Sequence, residues 1–179
     1  MIKFYKTYFQ RLATQHIDIK HVANSRRDEA FFYVKDKYNP GAFDTAIKAA
    51  GKTPALLLER FTYDLDSNGN KNCFRHINGR FTIVVNTVAG DEQSIEAAEQ
   101  LAEKIILSII AKMEQDFGSG TGSITLDDGE SQRVIYTTEQ VPVDPVGPML
   151  QKYYGATVGF KWRCPFKGAV NPSDWLDNS

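Results

Sequence analysis

The sequence predicts an α+β fold, in which a mostly antiparallel sheet packs against a long amphipathic helix and an N-terminal helix. Apolar residues recur at helical spacing between Asp91 and Phe117, which predicts the long helix. An Asn-Gly dipeptide at Asn68 and Gly69 separates two apolar runs, a pattern typical of an antiparallel hairpin. Strands and helices do not alternate regularly, as they would in a parallel α/β fold.

Size and charge limit the class of protein. The chain has 179 residues, of which 42% are hydrophobic, so a single domain over residues 1–179 can bury a sizeable core. Lysine and arginine number 21, aspartate and glutamate number 22, and the net charge is −1. A dedicated nucleic-acid binder usually carries a basic excess, so nucleic acid is not expected as a partner.

The sequence contains no membrane-span or export signal. The longest apolar run, Ile105–Ala111, is interrupted by Ser108 and is shorter than the ~18 residues of a spanning helix. Residues 1–6 lack the apolar stretch of a signal peptide, so the protein is expected to be cytoplasmic when made, with no membrane partner. Cys73 and Cys164 form no CxxC pair and are expected to be reduced residues of strands.

The first part of the chain is predicted to contain one helix and two strands. The helix is expected over Ile2–His16, from the helical spacing of Tyr5, Phe9, Leu12 and Ala13. Residues Asp18–Val22 alternate like a short strand, and Arg26–Glu29 form a polar turn. The aromatic-rich segment Ala30–Val34 is predicted to be the second strand.

A short helix is predicted before the hairpin. Asn39, Pro40 and Gly41 interrupt the chain. The helix then covers Ala42–Ala50, and Gly51 follows it at a position that helix ends prefer.

The hairpin consists of a strand over Ala55–Tyr63, an acidic turn over Asp64–Asn70, and a return strand over Cys73–Val88. Asn78 and Gly79 suggest a bulge or a second turn within the return strand. Both faces of the stretch from Phe81 to Val85 are largely apolar, as in a central strand covered on two sides.

Asp91 is predicted to cap the long helix, which presents one apolar stripe to the sheet. The stripe consists of Ile95, Ala98, Leu101, Ala102, Ile105, Ile109 and Met113.

The C-terminal part is predicted to be richer in loops and strands. Residues 118–123 form a flexible glycine-rich loop, and segments 124–126 and 133–136 form a second hairpin. Prolines recur too often in Val141–Pro148 for a helix. The last strand, Ala156–Phe166, places Val158, Phe160, Trp162 and Cys164 on one face and Lys161 and Arg163 on the other. Residues 171–179 form a polar tail, except for Trp175 and Leu176.

One short segment resembles part of a metal-binding loop. Asp64, Asp66 and Asn68, followed by Gly69, match the first half of a calcium-binding loop of the EF-hand type. Arg75 stands where that loop needs a bidentate glutamate, and the flanking segments are strands. An acidic hairpin turn is therefore the favoured interpretation, and no metal or cofactor is expected.

No arrangement of residues predicts an enzyme. The chain lacks the GxGxxG, Walker-lysine and GxSxG patterns. His16, His21 and His76 have no zinc-ligand spacing, and Cys73 and His76 would face opposite sides of a regular strand. We therefore assign no catalytic residue.

Basic and aromatic residues in the predicted turn and strands are the candidates for contact with a partner. Arginine and aromatic residues are enriched at protein interfaces, and the same types form platforms for single-stranded nucleic acid. The candidates are Arg26, Arg27, Phe31, Lys161, Trp162 and Arg163.

The order and length of the elements resemble those of the tail-terminator and tail-completion proteins of long-tailed bacteriophages and prophages. The matching elements are the helix Ile2–His16, the hairpin Ala55–Val88, the helix Asp91–Phe117 and the strand segment Gly155–Arg163. The resemblance implies a structural subunit that forms a ring, often a hexamer, at the junction of tail and head. It also implies contacts with itself and with other tail or head-completion proteins, and a location in the virion tail.

Two other classes remain open at this point. A binding module for a peptide, small ligand or nucleic acid would gather Arg26, Arg27, Lys161 and Arg163 on one surface. An unfamiliar enzyme would require Cys73, His76 or the carboxylates near Asp64 to converge in one cleft.

Overall fold

A computed structural model describes residues 1–36, 38–67, 73–118, 123–125, 131–136 and 142–166. Within these residues the chain forms helices and strands in an α+β arrangement. In chain order they are α1 (Ile2–Gln15), β1 (Phe31–Val34), α2 (Pro40–Ala49), β2 (Ala55–Glu59), β3 (Thr62–Ser67), β4 (Cys73–Asn86), α3 (Glu92–Phe117), β5 (Ser123–Thr125), β6 (Ser131–Arg133), β7 (Ile135–Tyr136), β8 (Val143–Met149) and β9 (Tyr153–Phe166).

Two long antiparallel strands, β4 and β9, form the centre of the sheet. They pair without interruption from Cys73 opposite Phe166 to Asn86 opposite Tyr153. On its other side β4 pairs with β2 at one end and with β3 at the other. On its other side β9 pairs with β8 and β7. This confirms the predicted α+β class with a mostly antiparallel sheet.

One pair of strands in the sheet is parallel, which the sequence pattern does not predict. Strand β1 pairs with β2 in parallel register, from Phe31 opposite Leu56 to Val34 opposite Glu59. Helix α2 connects these two strands, and Asn39 caps it by accepting a hydrogen bond from the Gly41 N–H at 3.0 Å. The predicted short helix is therefore confirmed, and it forms the crossover of a βαβ unit.

Helices α1 and α3 pack on one face of the sheet, around Trp162. The indole ring lies 5.3 Å from the ring of Phe117 on α3 and 5.8 Å from that of Phe9 on α1, measured between centroids. Other rings within 6.4 Å of it complete the aromatic core: Phe4, Tyr5, Tyr8 and Phe160. The stripe on α3 packs inward as predicted, and Asp91 caps this helix by accepting from the Gln93 N–H at 3.2 Å.

The opposite face of the sheet is covered at one end. Leu57 and Val84 point away from α1 and α3, yet both are fully buried, and α2 contacts β1 and β2 at this end. Farther along β4 and β9, the same face carries partly or fully exposed polar residues. We call this stretch the open face and define its residues below.

The segment Asp18–Val22 is not a strand, contrary to the prediction. The N–H groups of Ile19 and Lys20 both donate to the carbonyl of His16, at 3.1 and 2.9 Å, and so form a turn. Ile19 and His21 are each buried in the core, whereas Lys20 and Val22 are exposed. This produces the period of a strand without strand pairing.

The predicted strand Ala55–Tyr63 is divided in two. Leu58 lies opposite Phe81, whereas Thr62 lies opposite Asn78, so three residues of one strand face two residues of β4. The irregularity predicted at Asn78 and Gly79 is therefore a bulge whose extra residue belongs to the partner strand. Gly79 itself stays in regular register, and a Cβ added there would collide with the ring of Phe160.

The remaining elements follow the predictions in most respects. A second hairpin is present, but its return strand is β6, Ser131–Arg133, whereas Ile135 and Tyr136 of the predicted return strand 133–136 form β7 and pair with β9. The proline-rich segment is not helical, and it forms strand β8 along β9. Residues 119–122 of the glycine-rich loop, and the whole tail 171–179, lie outside the described residues.

His21 makes the stability of this fold depend on pH. Its side chain is 2% exposed, and its Nδ1 atom accepts the Ala30 N–H at 3.1 Å. Burial lowers the pKa of His21, Glu29 acts to raise it, and Lys52 lowers it further. Because the unfolded state binds the proton more tightly, the free energy of unfolding should decrease as the pH falls below about 6.5, down to the folded-state pKa.

Urea unfolding between about pH 7 and pH 5 measures this dependence. The pKa of His16 is also lowered by burial, so the double variant H16Q/H21Q should show a flatter slope than the wild type. An unchanged slope in the double variant would contradict the assignment.

Candidate functional site

The open face lies on the distal halves of β4 and β9 and continues onto β3. Its residues on the two central strands are His76, Asn78, Arg80, Lys161 and Arg163. His76 lies opposite Arg163, and Asn78 lies opposite Lys161. The Arg163 guanidinium sits over the ring of Phe74, 3.8 Å from its centroid, as a cation–π contact.

Asp64 and Asp66 lie on the same face, as strand residues of β3. Asp64 Oδ2 accepts from Asn78 Nδ2 at 3.0 Å, and Asp66 Oδ2 lies 3.6 Å from His76 Nε2. The two carboxylates therefore contact side chains of the adjacent strand β4, and they do not begin the predicted turn. Asn68, the third residue of the calcium-loop motif, lies outside the described residues. Across the part of the chain that the structure describes, no three His, Cys, Asp or Glu side chains form a metal-binding group.

The four basic candidates do not share one surface. A Cβ added to Gly51 would meet the backbone of Arg26 and Arg27, so their turn lies near the start of β2. At that end of the sheet, Ala55 is aligned with Val84 and Gly155. Lys161 and Arg163 are six and eight residues farther along β9, or ~20 to ~26 Å away. The expected four-residue basic platform is therefore not assembled.

The two aromatic candidates belong to the core. Trp162 is fully buried among the rings of α1 and α3, and Phe31 is almost completely buried on β1. Lys161 and Arg163 point to the opposite face from Trp162, because side chains alternate along a strand. Both side chains are therefore placed in the core, and neither provides the exposed aromatic surface that the sequence predicted.

Strand β3 is an edge strand that exposes apolar side chains. It pairs with β4 on one side, and no described strand pairs with its other side. Tyr63 and Leu65 are 53% and 61% exposed, on the side opposite to Asp64 and Asp66. An unpaired edge with exposed apolar residues is a template for pairing with another chain. The alternation Thr62-Tyr63-Asp64-Leu65-Asp66 is the sequence signal for this edge, and the predicted turn from Asp64 is in fact a continuation of the strand.

Strand β8 also lies at an edge of the sheet, but it is less suited to pairing with a further strand. Pro145 and Pro148 lie within this strand, and proline has no N–H to donate to a further strand. Strand β3 contains no proline. Between these two described edges, β3 is therefore the one suited to strand addition.

A separate cleft of about 430 Å³ lies between the end of α1 and the middle of α3. Leu12 and Ile109 provide apolar surface, and Ile17 is 72% exposed beside them. The polar lining residues are Gln15, His16, Asp18, Lys104, Ser108 and Lys112.

Hydrogen bonds and ion pairs hold the walls of this cleft together. Lys104 Nζ donates to Asp18 Oδ2 at 3.1 Å, and the Asp18 N–H donates to His16 Nδ1 at 3.2 Å. Lys112 Nζ donates to Asp116 Oδ1 at 2.7 Å. Burial lowers the pKa of His16, Asp18 acts to raise it, and Lys104 lowers it further. Both lysines of the lining are therefore paired with an aspartate, Lys104 with Asp18 across the cleft and Lys112 with Asp116 along α3.

The two cysteines do not form a nucleophilic pair with a histidine. Both thiols are free, and Cys73 and His76 lie on opposite faces because β4 is regular between them. Burial raises the pKa of Cys164 to about 12, although Arg75 acts to lower it, so this thiol is a weak nucleophile.

The fold and these surfaces define an α+β protein with a free strand edge, a polar sheet face and a helix–helix cleft. Protein-family models and curated proteins give no match to the chain. No helix among the described residues is long and apolar enough to cross a membrane.

Proposed function

We propose that this chain is a structural subunit that acts by assembling with copies of itself, as a tail-terminator or tail-completion protein of a phage or prophage. The order of elements supports this proposal, because an N-terminal helix, a long hairpin, a long helix and a final aromatic strand follow one another. In this role the subunits form a ring at the junction of tail and head.

The observation that carries the proposal is the free edge of β3. Tyr63 and Leu65 expose apolar surface to solvent beside unpaired strand backbone. Soluble proteins commonly protect such an edge with proline, charge or a covering element. On this strand Asp64 and Asp66 are engaged by residues of β4, so their charge is directed to the open face.

A ring needs two different contact surfaces on each subunit, because one face of a protomer meets another face of its neighbour. The β3 edge provides one surface. Its partner surface lies on another part of the neighbouring subunit. Pairing β3 with itself would give a closed dimer with twofold symmetry, which the mass of the complex distinguishes from a ring.

Light scattering after size exclusion tests this proposal over a range of protein and salt concentrations. We expect a ring-sized species in the wild type and its loss in the variant Y63K/L65K. The matched control is Leu107→Lys, which introduces a lysine at an exposed apolar residue of α3 and should leave the assembly intact.

A monomer at every concentration, or rings that persist in Y63K/L65K, would contradict the proposal. A dimer that does not grow further would support edge pairing but not a ring. Melting temperatures of both variants should remain close to that of the wild type, because exposed substitutions usually change stability by about 0.5 kcal/mol or less.

A further inference from the structure

We propose that a basic surface beside the end of α2 binds an acidic row on α3 of a second copy of this chain. The basic surface, called here the basic corner, consists of Lys20, Arg26, Arg27 and Lys48. The acidic row consists of Glu92, Glu96, Glu99 and Glu103. This inference rests on the proposed assembly function, and it names two charged surfaces that meet when one subunit contacts the next.

Contacts between separate segments hold the basic corner together. Lys52 Nζ donates a hydrogen bond to the carbonyl of Lys20 at 2.6 Å. A Cβ added to Gly51 would meet the backbone of Arg26 and Arg27. Because Gly51 and Lys52 directly follow α2, these contacts place Lys20 and the two arginines beside the end of that helix. A surface that is already formed loses little entropy when it binds a partner.

The basic corner carries a net positive charge. All four of its cationic side chains are exposed, and none of them forms an ion pair within the described part of the chain. Asp18 and Asp28 are already paired with lysines outside this set. The four cations are then opposed by two other carboxylates close to them in sequence, Glu29 and Asp44, which leaves a net charge of +2. Such a surface favours an acidic partner.

The acidic row is the complementary surface. Its four glutamates recur at spacings of four, three and four residues, so they lie along one side of α3. No lysine or arginine occurs between Glu92 and Glu103. Among the residues that the structure describes, none of these glutamates takes part in an ion pair. The row therefore offers four negative charges to a neighbouring subunit.

The basic corner and the acidic row lie on opposite sides of the subunit. Helix α1 contacts β1 and β2, whereas α3 contacts β4, β9 and β7 farther across the sheet. Lys104, Ser108 and Lys112 line the cleft on the side of α3 that faces α1. The acidic row is about 150° from them around the helix axis, so it faces away from α1. The basic corner lies at the other side, where the chain enters β1.

This placement suits a head-to-tail assembly. Strands β2 and β3 both pair with β4 on the side away from β9, so the basic corner and the β3 edge lie on the same side of the subunit. Each subunit can present this side to one neighbour and its acidic row to the other, as a ring requires. Leu107 lies one turn beyond Glu103 and outside the row, so a lysine there should leave the contact intact.

Carbodiimide cross-linking tests the contact directly, because this reagent joins a lysine amine to a carboxylate only where the two groups meet. We would treat an equal mixture of isotope-labelled and unlabelled wild-type subunits and analyse the peptides by mass spectrometry. We expect cross-links between labelled and unlabelled chains, from Lys20 or Lys48 to glutamates of the acidic row.

Charge reversal tests the same contact by light scattering. In R26E/R27E/K48E the net charge of the corner changes from +2 to −4, and in E96K/E99K/E103K that of the row changes from −4 to +2. Each variant alone should need about tenfold more protein, or higher, for half of its subunits to assemble, because like charges then meet. An equal mixture of the two should assemble again, since the opposite charges are restored between them.

The matched control is K35E/R80E/K152E, which reverses three exposed cations outside the basic corner and should assemble like the wild type. Circular dichroism of each variant checks that it is folded. Assembly in the mixture would itself show that both charge-reversed variants keep the fold.

The results separate this contact from the proposed ring. Rings that persist in both charge-reversed variants, an assembled wild type without the expected cross-links, or a mixture of folded variants that does not assemble would overturn the inference and leave the ring in place. Cross-links without a ring-sized species would support the contact and contradict the ring. A wild type that stays monomeric and gives no cross-links between chains would contradict both.

Discussion

Replacing Trp162 with alanine is expected to reduce the free energy of unfolding by about 3–5 kcal/mol, the largest effect of any single side chain in this fold. The indole ring lies at the point where β9, α1 and α3 meet. It contacts rings of both helices, including Phe9 and Phe117. Removing the ring leaves a cavity. To fill it, β9, α1 and α3 would all have to move.

Chemical unfolding followed by far-ultraviolet circular dichroism measures this loss, with Tyr38→Ala as the control. Tyr38 is strongly exposed, so its removal should change stability by about 0.5 kcal/mol or less. The variant Trp162→Phe should lose less than Trp162→Ala, because it keeps a ring in the core. It also removes the indole Nε1 atom, for which the described residues provide no hydrogen-bond partner. A loss below about 1 kcal/mol in Trp162→Ala would mean that the aromatic core does not depend on this residue.

The second large effect is expected at Gly155, where alanine should cost about 3 kcal/mol, at the upper end of the range for overpacking. A Cβ added there would collide with the carbonyl oxygen of Ile83 on β4. This obstacle is backbone in the middle of the sheet, so no side-chain rotation relieves the collision. The two central strands would have to separate where β4 and β9 pair.

Gly159 provides a matched control on the same strand and the same face. A Cβ added there has only the carbonyl oxygen of Gly79 nearby, at 3.8 Å, which is an ordinary contact. Gly159→Ala should therefore be nearly neutral. Urea unfolding of both variants gives the difference directly. Equal losses would mean that general strand flexibility, and not the collision at Gly155, sets the cost.

These two residues stabilise the framework that holds the proposed interaction surfaces in place. Gly155 allows β4 and β9 to pair closely, and these strands extend to the position where β3 joins the sheet. Trp162 anchors α1 and α3 on the sheet, and the cleft lies between those helices. Substitutions at the β3 edge should alter the proposed assembly without this loss of stability.

The sequence by itself determined the elements whose pattern is local. The apolar period between Asp91 and Phe117 predicts α3, and the alternation along β9 correctly separates buried Trp162 from Lys161 and Arg163. Each pattern is determined by the geometry of one helix or one strand, so nearby residues suffice to predict it. The same local reasoning is wrong at Asp18–Val22. There Ile19 and His21 are buried from a turn, and they produce the alternation of a strand without strand pairing.

Only the tertiary structure decided how these elements meet. The parallel pairing of β1 with β2, the bulge opposite Gly79 and the free edge at Tyr63 and Leu65 depend on partners distant in sequence. The distance between Arg26 and Arg163 follows from the path of the chain across the sheet, and no local pattern encodes it. The cleft forms because α1 and α3, about ninety residues apart in sequence, pack side by side on the same sheet face.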